Sequence, residues 1–253
     1  MNLNELLFTA IKAAESASHE ILSVYHSGDF NVEAKDDNSP LTRADKKSHE
    51  CIVEFLKSTG IPILSEEGRD IPYEERKHWK QLWVVDPLDG TKEFIKRNGE
   101  FTVNIALVEN QKPVLGVVAV PVTGQVFYGA QGMGAFAKKG DQIISLPARE
   151  RIDTSKLGIK VVASRSHLNE ETSAFIESLN HPVLVSKGSS LKFMLLAEGI
   201  ADIYPRFAPT MEWDTAAAHA VINQIGINVF QKNSTDELIY NKENLLNPSF
   251  LCK

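Results

Sequence analysis

The sequence predicts an α/β protein made of two unlike halves. Two segments near its start repeat apolar residues at the spacing of an amphipathic helix, and three short apolar runs separated by tight turns then favour an antiparallel meander. The remainder of the chain alternates strand-like and helix-like segments, which is typical of helices packed on a sheet. A length of 253 residues allows one large domain or two small ones.

The composition is that of an ordinary globular protein. Hydrophobic residues make up 43% of the chain and charged residues 24%, close to the usual values of about 45–50% and about 25%, which argues against disorder and against a fibrous repeat. The formal net charge is −6, so the chain lacks the broad positive field that non-specific nucleic-acid binding requires. We therefore expect no nucleic-acid partner, and an anionic small-molecule ligand would need local cations or a metal.

The cysteines and the N-terminal residues point to a reducing compartment. Cys51 and Cys252 are too few for a disulfide framework. The first residues have neither the basic region nor the apolar core of a signal peptide, and no stretch approaches the roughly 18 apolar residues of a spanning helix. We expect a cytoplasmic protein with no transmembrane segment, and peripheral contact with the inner face of the cell membrane stays open.

Two helices are predicted first. Apolar residues recur at spacings of three and four from Leu3 to Val24, and Gly28 stands where a C-terminal cap belongs. A second helix is predicted to begin near Thr42, whose hydroxyl suits an N-cap, with Asp45 at the positive end of the helix dipole. Its expected buried face is formed by Ala44, Cys51, Ile52, Phe55 and Leu56.

Strand signals follow these helices. Ile61–Leu64 and Leu82–Val85 are predicted to be buried strands, and Tyr73–His78 between them to be an exposed linker. Glycine and proline mark the turns of the meander. Its expected strands are Thr102–Val108, Val114–Val120 and Val126–Ala130.

The division between the halves is predicted where the composition loosens, through the glycines and the proline of residues 132–147. We predict an N-terminal α+β half over residues 1–140 and a C-terminal α/β half over residues 141–253. The predicted strands of the second half are Val161–Ala163, Val183–Val185, Asp202–Tyr204 and Ile227–Phe230. Its predicted helices are Glu170–Leu179, Leu191–Glu198 and Trp213–Gln224.

The most informative stretch follows the strand Leu82–Val85. Asp86 stands at the end of the strand and Asp89 three residues later, so both carboxylates can converge on one point. Such oxygens suit a hard cation such as Mg²⁺. Gly90 allows close approach of the backbone, and a helical turn from Thr91 would direct free N–H groups at an anion. The alternative is an acidic surface turn in which the aspartates only cap.

Three further carboxylates occupy related positions. Glu66 follows the strand that ends at Leu64, as Asp86 follows its own strand. Asp214 opens the alanine-rich helix, where interaction with the helix dipole is an alternative explanation. Asp45 stands at a helix start, where capping is the alternative. Taken singly, each of these acids has a structural explanation.

Taken together, the acidic segments resemble the signature blocks of the inositol monophosphatase superfamily, whose members are Mg²⁺-dependent, Li⁺-sensitive phosphomonoesterases. The blocks occur in the family's order, and the resemblance runs over nearly the whole chain. They are Asp37–Asp45, Leu64–Glu67, Trp83–Ile95 and Glu212–Ala217.

Within that superfamily the chain is most similar to the CysQ-type 3′(2′),5′-bisphosphate nucleotidases. The run Asp86–Asn104 resembles theirs, with Lys92-Glu93-Phe94 where inositol phosphatases more often have Thr-Asn-Phe. Gly188–Phe193 and Tyr204–Pro209 are similar to the same branch. The resemblance implies conversion of adenosine 3′,5′-bisphosphate to AMP and phosphate, with the nucleotide of sulfate assimilation as a related substrate.

The resemblance also implies the fold and the metal ligands. The expected fold is the layered αβαβα sandwich of the sugar-phosphatase type, with metals in the cleft between the halves and most ligands in the first half. Four side chains and one backbone carbonyl are expected to hold two or more Mg²⁺, and clustered carboxylates are tolerated only when cations neutralise them. The expected ligands are Glu66, Asp86, Asp89, Asp214 and the carbonyl of Leu88.

The remaining roles implied by the resemblance concern water and substrate. Asp45 and Thr91 would orient and help to deprotonate the attacking water, and backbone N–H groups of Gly90 and Thr91 would cradle the scissile phosphate. The metal-site residues Glu66, Leu88, Asp89 and Asp214 also border the substrate.

A second phosphate and a nucleoside need further groups. Ser189 and Lys192 are three residues apart at a helix start and can reach one anion, and Arg206 after a strand can add a bidentate contact. His167 is a candidate for the nucleoside side. Ordinary surface charge is the alternative for Lys192 and Arg206, and an exposed loop position for His167.

Two rival functions stay open. An inositol or sugar phosphatase is the first, although Lys92-Glu93 and Lys192 argue against it, because an inositol monophosphate offers no second phosphate. A catalytically silent metal-binding protein is the second, although such a protein has no use for the water-activating pair Asp45 and Thr91. The sequence leaves open whether the protein is a monomer or a homodimer.

Overall fold

The computed structural model describes residues 1–34, 40–150, 152–163 and 169–253, which form alternating helical and sheet layers. The helices are α1 (Leu3–Ser27), α2 (Arg43–Lys57), α3 (Tyr73–Arg76), α4 (Thr91–Ile95), α5 (Glu170–Glu177), α6 (Leu191–Ala197) and α7 (Ala216–Asn223). The first-half strands are β1 (Glu33–Ala34), β2 (Pro40–Leu41), β3 (Ile63–Ser65), β4 (Gln81–Asp89), β5 (Thr102–Glu109), β6 (Lys112–Val120), β7 (Gln125–Ala130), β8 (Gly134–Lys139) and β9 (Gln142–Ser145). The remaining strands are β10 (Lys160–Ala163), β11 (Val183–Ser186), β12 (Tyr204–Arg206), β13 (Val229–Gln231) and β14 (Phe250–Cys252).

The larger sheet has the strand order β3-β4-β5-β6-β7-β8-β9. Strands β3 and β4 are parallel, and every later neighbour is antiparallel, so the predicted meander is confirmed. Strands β8 and β9 were not predicted, because the glycines of this stretch indicated a loosening of the fold. The division after residue 140 falls in the turn that joins these two strands and stays a proposal.

Helices α1 and α2 cover one face of this sheet. Alternation along β4 directs Trp83 and Val85 toward them, and Leu82 and Val84 toward the opposite core. Thr42 caps α2 with a reciprocal contact to Asp45, as predicted. The prediction that Phe55 is buried was wrong: it is 36% exposed, because it lies at the edge of the apolar stripe of α2.

Helix α7 packs against the second face of the sheet at unusually short range. A Cβ atom on Gly116 of β6 would lie only 2.0 Å from the carbonyl oxygen of Ala217. Gly116 therefore permits the close helix–sheet contact. Because α7 begins two residues after Asp214, this contact helps to fix the position of that carboxylate.

The second half supplies the outer layers. Strands β10 and β11 are parallel, β14 lies between β12 and β13, and a bridge between Val161 and Ile203 connects the two groups. Helix α5 contributes Ile176 to the outermost core. The helices α6 and α7 lie between the larger sheet and the strands of the second half, so the predicted αβαβα order is confirmed. The prediction that Ile227–Phe230 is the last strand was wrong, since β14 follows it.

Within the described ranges, no helix combines the length and the apolar character needed to cross a bilayer.

Candidate active site

Two parallel strands bring the first carboxylates together. Ser65 of β3 is in register with Val85 of β4, and the backbone N–H of Glu66 donates to the carbonyl of Val85 at 3.1 Å. Glu66 therefore lies beside Asp86, which is buried. The sheet register shifts between Asp86 and Asp89, and this bulge leaves the intervening backbone free to turn.

The bulge leads into a tight turn and the short helix α4. The N–H of Leu88 donates to Asp86 Oδ1 at 3.0 Å, which orients that carboxyl group. Gly90 has φ of 97°, and a Cβ there would lie 3.1 Å from the carbonyl oxygen of Glu100, so a larger residue would be strained. The predicted helical turn from Thr91 is confirmed, and its first N–H groups have no acceptor within the helix.

Asp214 reaches the same region from the second half. It ends the 3₁₀ turn Glu212–Asp214, and the N–H of Met211 donates to its Oδ2 at 2.8 Å. The prediction that Asp214 lies in the first turn of the alanine-rich helix was wrong by one turn. Thr215, with φ of −123°, interrupts the helical backbone between Asp214 and α7.

Ser190 connects the Asp89 carboxylate of the first half to the backbone of Asp214 in the second. Its N–H donates to Asp89 Oδ2 at 2.6 Å, and its hydroxyl donates to the carbonyl of Asp214 at 3.0 Å. The side-chain amide of Asn104 donates to the same hydroxyl oxygen at 3.0 Å. Ser190 was not predicted from the sequence; the predicted residue is Ser189, whose hydroxyl lies 3.3 Å from that of Thr102 and borders the cleft. A serine directly before α6 was the available signal.

The acidic groups perturb one another strongly. Burial raises the pKa of Asp86 well above its usual range, and the nearby charges of Glu66, Asp89 and Asp214 raise it further. Burial, followed by the charge of Asp89, raises the pKa of Asp214 to about 8. A bound cation would remove this penalty, so the donor set fits a hard divalent ion.

The charges of the acidic cluster suit a divalent cation, but its side chains do not form a complete coordination shell in the described residues. In the part of the chain that the structure describes, no three acidic, histidine or cysteine side chains stand in the arrangement of a metal site. The assigned ligand set, including the carbonyl of Leu88, therefore stays a prediction. The alternative of an acidic surface turn was wrong for Asp86, which is buried together with Leu88.

Asp45 and Thr91 form a direct pair. One carboxylate oxygen of Asp45 accepts from the N–H and the hydroxyl of Thr42, at 2.7 and 2.5 Å. Its other oxygen lies 3.1 Å from the hydroxyl of Thr91, which is also 3.3 Å from the carbonyl of Leu88. Asp45 therefore caps α2 and also contacts the turn beside the acidic cluster, so the capping explanation and the functional one both apply.

A cleft of about 370 Å³ opens beside the acids and carries cationic side chains. Its lining includes Asp89, Asp214, Lys192 and Arg206. Lys192 is only 9% exposed, so the alternative of ordinary surface charge was wrong for it, and burial lowers its pKa to about 8. Arg206 donates through one terminal nitrogen to the carbonyl of Pro209 at 3.2 Å.

Arg206 also has an unused donor. Its Nε is buried and has no hydrogen-bond partner among the described residues. A buried unpaired donor on a guanidinium is costly unless a ligand accepts from it. His167, the remaining predicted substrate residue, lies outside the described residues, as does part of the first signature block.

Comparison with known proteins was made on the whole chain. The profile of the inositol monophosphatase family matches residues 2–250. The 3′(2′),5′-bisphosphate nucleotidase CysQ of Salmonella typhimurium is 44% identical over 251 residues, which are 97% of this chain and 98% of that protein. The crystal structure of CysQ from Bacteroides thetaiotaomicron superimposes with a TM-score of 0.88 at 46% identity, covering 99% of this chain and 97% of that one.

More distant structures share the architecture. An IMPase of Thermotoga maritima gives a TM-score of 0.79 at 23% identity, with 99% of this chain and 92% of that chain covered. At this level of identity the likeness concerns the fold alone.

Proposed function

The chain belongs to the inositol monophosphatase family, and from that premise we propose that it is a Mg²⁺-dependent 3′(2′),5′-bisphosphate nucleotidase. The proposed reaction is hydrolysis of adenosine 3′,5′-bisphosphate to AMP and phosphate. The chain is similar over nearly its full length to proteins with that name. Its own cleft supports the same assignment.

The carboxylate cluster supports the reaction class. We propose that Glu66, Asp86, Asp89 and Asp214, with the Leu88 carbonyl, hold two or more Mg²⁺. When bound, Mg²⁺ would supply Lewis-acid chemistry, polarising phosphoryl oxygens and acidifying water. The raised pKa values of Asp86 and Asp214 support this, because buried carboxylates that repel one another gain most from a cation.

Asp45 and Thr91 are proposed to orient the attacking water and to help deprotonate it. The contact at 3.1 Å lets the Thr91 hydroxyl donate to Asp45, which leaves the lone pairs of Thr91 to accept a proton from water. The two contacts from Thr42 hold the Asp45 carboxylate in one orientation. Water then attacks phosphorus directly, the ester bond breaks, and the leaving oxygen takes up a proton.

The observation that carries the substrate assignment is the cation pair in the cleft. Lys192 and the unpaired Nε of Arg206 offer positive charge in the cleft that Asp89 and Asp214 also line. The scissile phosphate is proposed to lie at the acids and at the N–H groups of Gly90 and Thr91. The second phosphate of a nucleotide bisphosphate is proposed to accept from Lys192 and Arg206, with Ser189 nearby.

A comparison of substrates tests the proposal. Purified protein with Mg²⁺ is assayed for phosphate release from adenosine 3′,5′-bisphosphate, AMP and inositol monophosphates. We expect the bisphosphate to have the highest kcat/KM. A preference for an inositol phosphate would overturn the substrate assignment and leave the reaction class intact, and no release from any of them would favour the non-catalytic alternative.

The setting of the enzyme is part of the proposal. We propose that it acts in the cytoplasm as a monomer or a homodimer, with any membrane contact limited to the periphery. Its nucleotide substrate is proposed as its partner, and nucleic acid is not.

A further inference from the structure

A loop of the second half, Asn241–Glu243, lies between two buried charges of opposite sign. The first is Arg76 at the end of α3, in the stretch predicted to be an exposed linker; that prediction was wrong for Arg76, which is only 3% exposed. Its guanidinium donates to Asn241 Oδ1 at 3.1 Å, to the carbonyl of Lys242, and to the carbonyl of Glu243 at 2.8 Å. The side-chain amide of Asn241 donates back to the Arg76 carbonyl at 2.8 Å.

The second buried charge is Glu212, which is fully buried. Its carboxylate accepts from the N–H of Asn241 at 2.5 Å and from the N–H of Lys242 at 3.0 Å. The ammonium group of Lys242 adds a third contact at 2.5 Å. The Arg76 guanidinium therefore donates to carbonyl groups of the loop, and the Glu212 carboxylate accepts from its N–H groups. Together they satisfy donors and acceptors of the same short backbone segment.

The two charges lie on the C-terminal side of Glu66 and on the N-terminal side of Asp214 along the chain. Arg76 lies in the segment that follows Glu66, whereas Glu212 begins the turn that ends at Asp214. The N–H of Glu212 also donates to the carbonyl of Leu245, so the chain beyond the loop holds the same turn. The loop Asn241–Glu243 thus links α3, which follows Glu66 in the first half, to the turn that carries Asp214 in the second.

We propose that Arg76 and Glu212 are positioning residues that act through the loop Asn241–Glu243 to set Asp214 against Glu66, Asp86 and Asp89. The inference deepens the proposed function, since it concerns the same cation site. Removal of Arg76 leaves the carbonyls of Lys242 and Glu243 without this donor, removal of Glu212 leaves the N–H groups of Asn241 and Lys242 without this acceptor, and either change frees the loop to shift. The Asp214 turn then loses its fixed distance from the carboxylates of the first half.

Metal binding without substrate is the direct test. Mn²⁺ is titrated into Arg76→Gln and Glu212→Gln and followed by electron paramagnetic resonance, and the Mg²⁺ concentration for half-maximal activity is measured in parallel. We expect metal affinity to fall about tenfold or more in each variant, as is usual when a group that orients a ligand is removed. Saturating Mg²⁺ should restore most of kcat, and Arg76→Lys should show a smaller loss.

A stability control separates positioning from simple loss of packing. Ile176→Ala removes a buried side chain of the outermost core, remote from the loop, and should lower thermal stability with wild-type Mn²⁺ affinity. An equal loss of affinity in Ile176→Ala would overturn the proposal. If Arg76→Gln does not fold, Arg76→Lys carries the same measurement, and wild-type Mn²⁺ affinity in a folded variant would also overturn it.

The double variant tests whether the two charges share one route. If both act through the loop, Arg76→Gln with Glu212→Gln should lose little more affinity than the weaker-binding single variant. Losses that multiply would show independent effects and reject the shared link. Because Mn²⁺ binding needs no nucleotide, a failure of the proposed substrate would leave this result unaffected.

Discussion

Two carboxylates that lie beside helix α7, Asp214 before it and Glu237 against it, are in opposite electrostatic situations. At the N-terminal side of α7, burial and the charge of Asp89 raise the pKa of Asp214 to about 8. Beside its C-terminal part, the hydrogen bond to His219 lowers the pKa of Glu237 to about 2, with help from Asn223 and Asn228. Helix α7 therefore lies between Asp214, which accepts few hydrogen bonds, and Glu237, which accepts several.

The number of donors explains the difference. Glu237 has contacts at 2.7 Å from His219 Nε2, 3.1 Å from Asn223 and 2.6 Å from Asn228. Among the residues that the structure describes, Asp214 accepts a hydrogen bond only from the N–H of Met211, although it is more deeply buried than Glu237. The donors around Glu237 neutralise that carboxylate within the chain, whereas the scarcity of donors around Asp214 supports the proposal that Asp214 binds a cation.

Asp45 tests this distinction most severely, because it is supplied with donors like Glu237 yet is assigned to catalysis. We expect Asp45→Asn to lower kcat by about 10²–10⁴, the usual size of a general acid–base contribution. Asparagine can keep an oxygen toward Thr42 but cannot take a proton from Thr91. The measurement is steady-state kinetics on adenosine 3′,5′-bisphosphate with Mg²⁺.

Mn²⁺ affinity is the control for Asp45→Asn and should stay near the wild-type value. Unchanged turnover would remove Asp45 from its assigned role. A large loss of metal affinity would instead make Asp45 part of the cation site.

Asp214→Asn should have opposite effects on activity and on stability. We expect kcat/KM at limiting Mg²⁺ to fall by more than about 100-fold, beyond the usual loss for a group that only supports a ligand. The metal-free variant should nevertheless be more stable than wild type at pH 8. Because the folded pKa of Asp214 is raised, the folded protein holds a proton that the unfolded chain releases, so wild-type stability falls as pH rises from about 4 to about 8.

Thermal unfolding in chelator checks this sign. Each kcal/mol gained corresponds to about 2–4 °C for a chain of this size, and the gain should shrink toward pH 4. A metal-free variant that melts below wild type at pH 8 would contradict the distinction between the two acids.

Lys192→Met should affect the substrate with two phosphates more than a substrate with one. A hydrogen bond to a charged group contributes about 1.5–3 kcal/mol, so KM for adenosine 3′,5′-bisphosphate should rise about tenfold or more, with kcat little changed. Hydrolysis of adenosine 3′-monophosphate, which lacks the second phosphate, should be nearly unaffected. Lys57→Met, an exposed position at the end of α2, is the matched control.

Equal losses on both nucleotides would remove Lys192 from the second-phosphate site. They would instead indicate that its charge balances the acidic cluster, whose member Asp89 raises the pKa of Lys192 against the effect of burial.

The parts of the site that follow local rules were predictable from the sequence. The pairing of Thr42 with Asp45 is a capping box, and Asp86 and Asp89 end an apolar strand before a glycine. Such features depend on residues within one turn or one strand end of each other. The resemblance to a family then joined these local features into one site.

The missed features depend on distant contacts. Arg76 contacts Asn241, which lies 165 residues further along the chain, so its local sequence could only suggest an exposed linker. Ser190 owes its importance to Asp89, Asn104 and Asp214 together. Strand β9 is exposed at every position, so it lacks the alternation of apolar and polar residues that would predict a strand.

Glu237→Gln is the smallest expected effect and completes the comparison between the two carboxylates beside α7. The lowered pKa of Glu237 means that its contribution to stability is complete above about pH 4.5 and is lost as the pH falls toward 2. Its side chain is 33% exposed, so solvent screening reduces the gain, and we expect the variant to lose about 1 kcal/mol at pH 6. Urea unfolding at pH 6 and at pH 3 measures the difference, which should shrink at the lower pH while turnover at neutral pH stays near wild type. A deficit of the same size at both values would mean that shape, rather than the charge held by His219, explains the role of Glu237, and the contrast with Asp214 would then rest on burial alone.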